Sequence, residues 1–508
     1  MRPVNAAIFV LCLGSAAAAQ QPLSAIDWLN DPISTPVAQP RTAPGGEPPV
    51  STGATVPDVE VRPLDAAQAD AVGLLPAHVT GLPVTLWTQS RTDTLIAAFG
   101  RMPAEPLPAL QALYYSLLLA EADPPQDAGP AARFLRARVQ ALQNFGAVEP
   151  ARALLERAGA DRKDLFDQWL DLSLIAGTDD APCRRLRQEP ALSDDYGARI
   201  FCTARASDWA TAALTYDSAL ALGILSPAEA TLLAQFLDPE LAEGSPTLPA
   251  GSDIPPLIFR LHEAVGNPLP TRRLPRAFAM ADLRGTAGWK AEIEAAERLT
   301  RTGALPATRL LGLYTDQRPA ASGGVWDRVR AVQDFDAALG GGTAEDIART
   351  LPPAWAAMSG QNLEIAFAQL FAAQLMGRGL TGDAAALTAR IALLAPDYEA
   401  YALVLADTSA APAFAILVAL GRAAQATPGT DIERAIVQGF TLPAPAPADA
   451  VLIRRGELGN AILSAALRLD RAGTGNPGVV AQSLASLRAV GLEDVARRAA
   501  LQLLLLER

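Results

Sequence analysis

Histidine is almost missing from this chain: His78 and His262 are the only two in 508 residues. They lie far apart, in Pro-flanked or helical surroundings, so a His-rich metal site or a Ser-His-Asp triad has little to draw on. HExxH, CxxC, GxSxG and GxxxxGK[ST] are all missing too. Gly340-Gly341-Gly342 runs into Thr343, Ala344 and Glu345 rather than a phosphate-binding lysine, and reads as a loop before a helix capped by Thr343. Lysine is equally scarce, with Lys163 and Lys290 set against 40 arginines, a bias that a GC-rich genome explains. The net charge is −12, which argues against a nucleic-acid partner and against broad docking on anionic lipid, since both need clustered Lys and Arg. No apolar run approaches the ~20 residues of a membrane-spanning helix. The best, Ala410–Gly421, has 12 residues, contains Pro412 and reads as a buried helix. Membrane insertion is therefore not expected, and no catalytic residue, metal ligand or cofactor is assigned.

Cysteine is the third scarcity, and two of the three residues carry information. Arg2, the apolar stretch Ala6–Leu13 and the small residues Ala17-Ala18-Ala19 read as a secretory signal peptide over 1–19. Cys12 lies inside its apolar core after Leu11, where a lipoprotein signal would need a small residue, so lipid anchoring is not expected. Cleavage after Ala19 removes Arg2, moves the net charge to −13 and leaves roughly 490 residues, room for two or three domains. The location this implies is periplasmic: exported and soluble.

Residues 20–63 read as a disordered, Pro-rich tether, with too few large apolar residues beyond Asp31 to order itself. Its start, Leu23–Leu29, forms a short amphipathic stretch in which Ile26, Trp28 and Leu29 are candidates for a linear motif that docks in a partner groove. The alternative is a poorly ordered mature N-terminus. From Leu64 onward Ala and Leu dominate, both strong helix formers, and Gly, Pro, Asp and Ser mark turns every 12–18 residues or so. The Pro-rich breaks Gly244–Pro256 and Thr441–Asp449 divide this region into an N-terminal helical-repeat block 64–243, a central helical block 257–440 and a C-terminal helical cap 449–508. In that last block Val480, Leu484, Leu487 and Val490 are spaced 4, 3 and 3, and Leu492, Val495, Ala499, Leu503 and Leu506 are spaced 3, 4, 4 and 3. Each set makes one apolar helix face, so the pair reads as the closing hairpin of a stack.

Residues 131–226 divide into three helical hairpins, Ala131–Asp161, Arg162–Ser193 and Asp194–Ser226, of 31, 32 and 33 residues. Their inner turns fall at Gly146-Ala147, Gly177-Thr178 and Ser207-Asp208. Phe134, Leu135, Val139 and Leu142 face Val148, Leu154 and Leu155 across the first turn, and Trp169 and Trp209 read as core. Cys183 and Cys202 straddle the Ser193-Asp194-Asp195 turn almost symmetrically, so two antiparallel helices would bring them to one height. An oxidising compartment then favours a Cys183–Cys202 disulfide over two buried thiols.

These hairpin lengths, with small residues at the turns, resemble the tetratricopeptide-type superfamily of α-solenoids, although its full signature is not met. That resemblance implies an all-α chain built as a right-handed superhelix of stacked hairpins. The phrases ARIFCTARASDW (198–209), LLAQFLDPELAEG (232–244) and LLGLYTDQRPAASGGVWDRV (310–329) resemble a family of exported bacterial proteins with no assigned activity, and no site residue carries over.

Carboxylates are plentiful, so glycosidase chemistry is not excluded by composition. Glu292, Glu294 and Glu297 cluster, but Lys290–Glu294, Glu294–Arg298 and Glu297–Arg301 are i,i+4 pairs, the pattern of a solvated helix face. Asp179-Asp180 and Asp194-Asp195 begin helices and read as caps. One segment stands apart. Tyr314–Arg328 is a long polar loop carrying Tyr314, Asp316, Arg318, Trp326, Asp327 and Arg328, residue types favoured as interface anchors on a rigid scaffold. The competing reading makes it structural, with Asp327 as a cap and Trp326 plugging the core. A weaker candidate is Arg272–Trp289, with Arg272, Arg273, Arg276, Arg284 and Trp289. The function expected is a non-enzymatic periplasmic scaffold or adaptor binding another envelope protein or peptide. The alternatives are a peptidoglycan-acting enzyme or accessory with an α-superhelical region, and a small-ligand binder using the Tyr314–Arg328 loop. Oligomeric state is not legible.

Overall fold

The chain alternates strong helix formers with Gly- and Pro-marked turns, and the computed structural model follows that pattern throughout its described residues, 68–241, 254–408 and 410–506. These hold 25 α-helices, a few 3-10 turns and one isolated β-bridge, Leu75 to Ala120. All belong to the compact unit Pro63–Arg508. The signal peptide, the tether with Ile26, Trp28 and Leu29, and most of the Gly244–Pro256 break lie outside the described residues.

The first helices are α1 (Ala77–Thr80), α2 (Thr92–Phe99) and α3 (Pro108–Leu119). The three hairpins follow as α4 (Arg133–Asn144) with α5 (Val148–Arg157), α6 (Lys163–Ala176) with α7 (Asp180–Gln188), and α8 (Tyr196–Arg205) with α9 (Trp209–Ala221), before α10 (Pro227–Leu237). Each inner turn passes through one left-handed residue at the expected place: Gly146 at φ 83°, Gly177 at φ 75° and Ser207 at φ 65°. Phe134, Leu135, Val139, Leu142, Val148, Leu154 and Leu155 are fully buried, so the apolar periodicity of the first hairpin is its core.

The central helices are α11 (Pro256–Ala264), α12 (Ala279–Asp282), α13 (Trp289–Thr300), α14 (Ala307–Thr315), α15 (Val325–Gly341), α16 (Ala344–Ser359), α17 (Glu364–Met376), α18 (Gly382–Leu394), α19 (Tyr398–Leu405), α20 (Ala413–Ala419) and α21 (Asp431–Thr441). Thr343 caps α16 in a reciprocal box with Asp346, and the apolar run becomes the buried α20. This block seats on the hairpin turns. A Cβ at Gly146 would meet Leu299 Cδ2 at 2.6 Å, and one at Gly177 would meet Arg284 Cδ at 2.7 Å. Thr302 Oγ1 also donates to the Phe145 carbonyl at 2.7 Å.

The last helices are α22 (Pro447–Arg454), α23 (Leu458–Ala472), α24 (Pro477–Ala489) and α25 (Glu493–Leu505). Placed by sequence at the end of a stack, they instead pack against the first helices, α25 and α23 on α3, and α23 on α2. The reason is visible at the start of α3. Pro108 opens that helix without a side-chain cap of its own, which leaves first-turn N–H groups unpaired. Asp470 on α23 accepts from Leu107 N at 2.9 Å, and Gln502 on α25 accepts from Ala109 N at 2.8 Å. The C-terminal helices thus cap an N-terminal one.

A buried arginine ties the N-terminal layer together. Arg138 on α4 is fully enclosed and donates to four carbonyls: Leu118 at 2.8 Å, Val72 at 2.8 Å, Ala120 at 2.9 Å and Asp70 at 3.3 Å. Burial pushes its pKa down to about 10, so it keeps its charge. Two expectations fail here. Asp195 caps α8 through Ala198 N, but Asp179 does not cap α7. It is 1% exposed and lies 3.2 Å from Arg205 and 3.6 Å from Arg260, bridging α8 and α11. Trp169 is core at 9% exposure, whereas Trp209 is 49% exposed and touches only the edge of the core at Phe236. It opens α9, of which only Ala212 and Ala219 are buried.

Candidate functional site

The Tyr314–Arg328 segment joins α14 to α15, and its sequence candidates divide between core and surface. Tyr314, in the last turn of α14, is buried, and its hydroxyl donates to Glu297 Oε1 at 2.7 Å. Glu297 lies on α13, is itself 2% exposed, and receives Arg328 Nε at 2.9 Å and Nη2 at 2.8 Å. Phenol, carboxylate and guanidinium therefore close on one another. Burial, then the Glu297 charge, holds the Tyr314 phenol well above its ordinary pKa. Such a group is a permanent hydrogen-bond donor and not a base.

Asp327 binds back to its own loop, accepting from Gly323 N at 3.1 Å with Arg330 at 3.6 Å. Gln333 clamps the base of the loop by donating to the Tyr314 and Gln317 carbonyls at 2.7 and 2.6 Å. Asp316, Arg318 and Asp327 are exposed. Trp326 is half-buried against Trp289, with ring centroids 5.0 Å apart at 40°. Trp289 comes from the second candidate segment, and its indole N–H is fixed on the Leu313 carbonyl at 2.8 Å. The two segments thus meet at a tryptophan pair, which with Lys290, Glu294 and Gln317 lines an open depression. The arginines of the second segment do not converge there. Arg276 pairs with Glu105 at 2.7 Å, Arg284 pairs with Glu263, and Arg272 and Arg273 are exposed.

Glu297 is the residue that i,i+4 counting misplaces. Of the three expected pairs, Lys290–Glu294 forms, at 3.7 Å. Arg298 instead donates to the Thr271 and Leu274 carbonyls at 3.1 and 2.6 Å, and Arg301 donates to Gln361. The signal lay in the apolar stripe. Ile293, Ala296, Glu297 and Thr300 are spaced 3, 1 and 3, which puts Glu297 on the inward face of α13.

Cys183 and Cys202 form a disulfide between α7 and α8, with Cα atoms 4.8 Å apart and both side chains buried. His262 is buried, with Asn267 3.4 Å from its Nδ1. Among the described residues, no group of three or more His, Cys, Asp or Glu is placed to hold a metal ion, and no helix is long and apolar enough to cross a membrane. No protein-family model, curated protein or solved structure matches this chain.

Proposed function

We propose that this chain is a non-enzymatic periplasmic adaptor, a right-handed superhelix of tetratricopeptide-like hairpins that binds another envelope protein or peptide. The observation that carries this reading is the set of large apolar side chains exposed on α9 and the turn after it. Trp209, Leu214, Leu220, Leu222 and Ile224 are 49%, 68%, 48%, 72% and 46% exposed, and Asp217 is the one charged residue in Trp209–Ala221. So many large apolar side chains left exposed on one helix and its following turn suit an interaction surface, and a tryptophan among them is a favoured anchor. A helix of an isolated chain would place charges there. The export signal and the disulfide support a partner in the envelope. The Tyr314–Arg328 loop offers less, because most of its polar groups are used internally.

A photo-crosslinking residue at Leu214, irradiated in periplasm, tests the reading. A discrete protein adduct, lost in a Trp209→Ala/Leu222→Glu variant that still melts cooperatively, is the expected result. Adducts no different from those of a crosslinker at exposed Arg318 refute it.

A further inference from the structure

A second feature lies away from α9, where three parts of the chain converge. Gln111 and Tyr115 on α3, Thr300 and Arg301 at the end of α13, Leu305 before α14 and Leu363 before α17 line a cleft of about 420 Å³, the size of a small-ligand site. Its polar groups are unusual. Gln111 is 4% exposed, yet neither its amide nitrogen nor its amide oxygen has a hydrogen-bond partner. The hydroxyls of Tyr115 and Thr300, equally enclosed, have none either. A buried polar atom left unpaired costs about 1–3 kcal/mol, and here four of them belong to side chains lining one cavity. Burial holds the Tyr115 phenol above its ordinary pKa, so it stands ready as a neutral donor.

The charge of the lining is equally one-sided. Among the described residues that line the cleft, Arg301 is the only charged one and none is a carboxylate. Its Nε and Nη2 are held by the Gln361 carbonyl and side chain at 2.7 and 2.6 Å, both neutral acceptors. Neither acceptor neutralises its charge, and a guanidinium matches a carboxylate best. An amide side chain with both atoms free is complementary to another amide, donating to its oxygen and accepting from its N–H. Leu305, Pro306, Leu363 and Ile365 give the cleft an apolar wall that suits small apolar side chains, and Asn362 and Gln369 add polar groups to the lining.

We infer that this cleft binds the C-terminal end of a short peptide, with a backbone amide on Gln111 and the free carboxylate on Arg301. The site is separate from α9 and stands whether or not that helix docks a partner.

Equilibrium dialysis of the mature protein against an equimolar tripeptide library with free carboxylates, read by mass spectrometry, tests it. Retention of a subset of tripeptides is expected, with at least a tenfold loss when the same library is C-terminally amidated. Gln111→Leu should abolish retention while keeping or raising Tm, because it replaces an unpaired amide by an apolar group. Trp209→Ala/Leu222→Glu should leave retention unchanged. No retained tripeptide, equal retention of acids and amides, or undiminished retention by Gln111→Leu overturns the assignment.

Discussion

Arg328 holds Glu297 at two points, Nε on one carboxylate oxygen and Nη2 on the other, with the carboxylate 2% exposed. Taking away one partner of such a pair leaves a buried charge uncompensated. Arg328→Met should therefore destabilise the fold by about 3–5 kcal/mol. The double variant Arg328→Met/Glu297→Gln should recover much of that loss, because the buried charge goes as well. Denaturant titration of the single and double variants measures it. Equal losses in both would mean that the pair is not what holds the loop to α13.

That pair also marks the limit of what could be read in advance. Hairpin boundaries were legible because two local rules agreed there, apolar periodicity within each helix and a left-handed residue at Gly146 and Gly177. The disulfide was legible because its cysteines are equidistant from one turn. Trp209 was misplaced because periodicity gives the face of a helix but not whether another helix covers it. Glu297, Asp179 and Arg138 were missed for a different reason. Their partners, Arg328, Arg260 and the carbonyls of residues 70–72 and 118–120, lie in other elements, and helix-local spacing carries no information about them. The cleft at Gln111 has the same origin, since its walls come from positions as far apart as 108 and 369. The capping of α3 by Asp470 and Gln502 spans 363 and 393 residues.

The Cys183–Cys202 bridge closes a loop with a sequence separation of 19, for which chain entropy gives about 3 kcal/mol. Its removal by Cys183→Ala/Cys202→Ala should lower Tm without changing helix content, since both side chains pack as small apolar groups in either state. Circular dichroism melts under reducing and oxidising conditions check it. Reductant should lower Tm in the parent protein and leave the double variant unmoved.

Two of the inner turns make opposite predictions. Gly177 has a φ of 75°, and its missing Cβ leaves room for Arg284 Cδ, so Gly177→Ala meets both backbone strain and a 2.7 Å contact. A loss of about 1–3 kcal/mol is expected. Ser207 holds an equivalent conformation, φ 65°, with a side chain that disfavours it. Ser207→Gly should be neutral to stabilising by up to about 1 kcal/mol, the relief of strain being partly offset by a more flexible unfolded chain. Thermal melts of the two variants should move in opposite directions or, for Ser207→Gly, hardly at all. A Ser207→Gly loss as large as that of Gly177→Ala would remove the parallel between the turns.

Asp171 gives the fold a measurable pH dependence. It lies on α6 beside Asp167 and across from Asp195, and burial, then those two charges, pushes its carboxyl up to about 7 from 3.8. Between those values the folded chain holds a proton that the unfolded chain has released, so this contribution to stability is full at low pH and declines as pH rises to about 7. Asp470, pushed up to about 6 by burial, acts in the same direction, while His262, whose pKa burial lowers, opposes both below about pH 6.5. A single-site comparison separates them. Asp171→Asn keeps the shape but cannot ionise, so its Tm should approach or exceed the parent's as pH rises from about 4 to about 7, by a few degrees. Above that range the difference should level off, because the parent carboxyl is then ionised in both states. A Tm difference that stays constant across the whole range would show that Asp171 titrates in the folded chain as it does in the unfolded one.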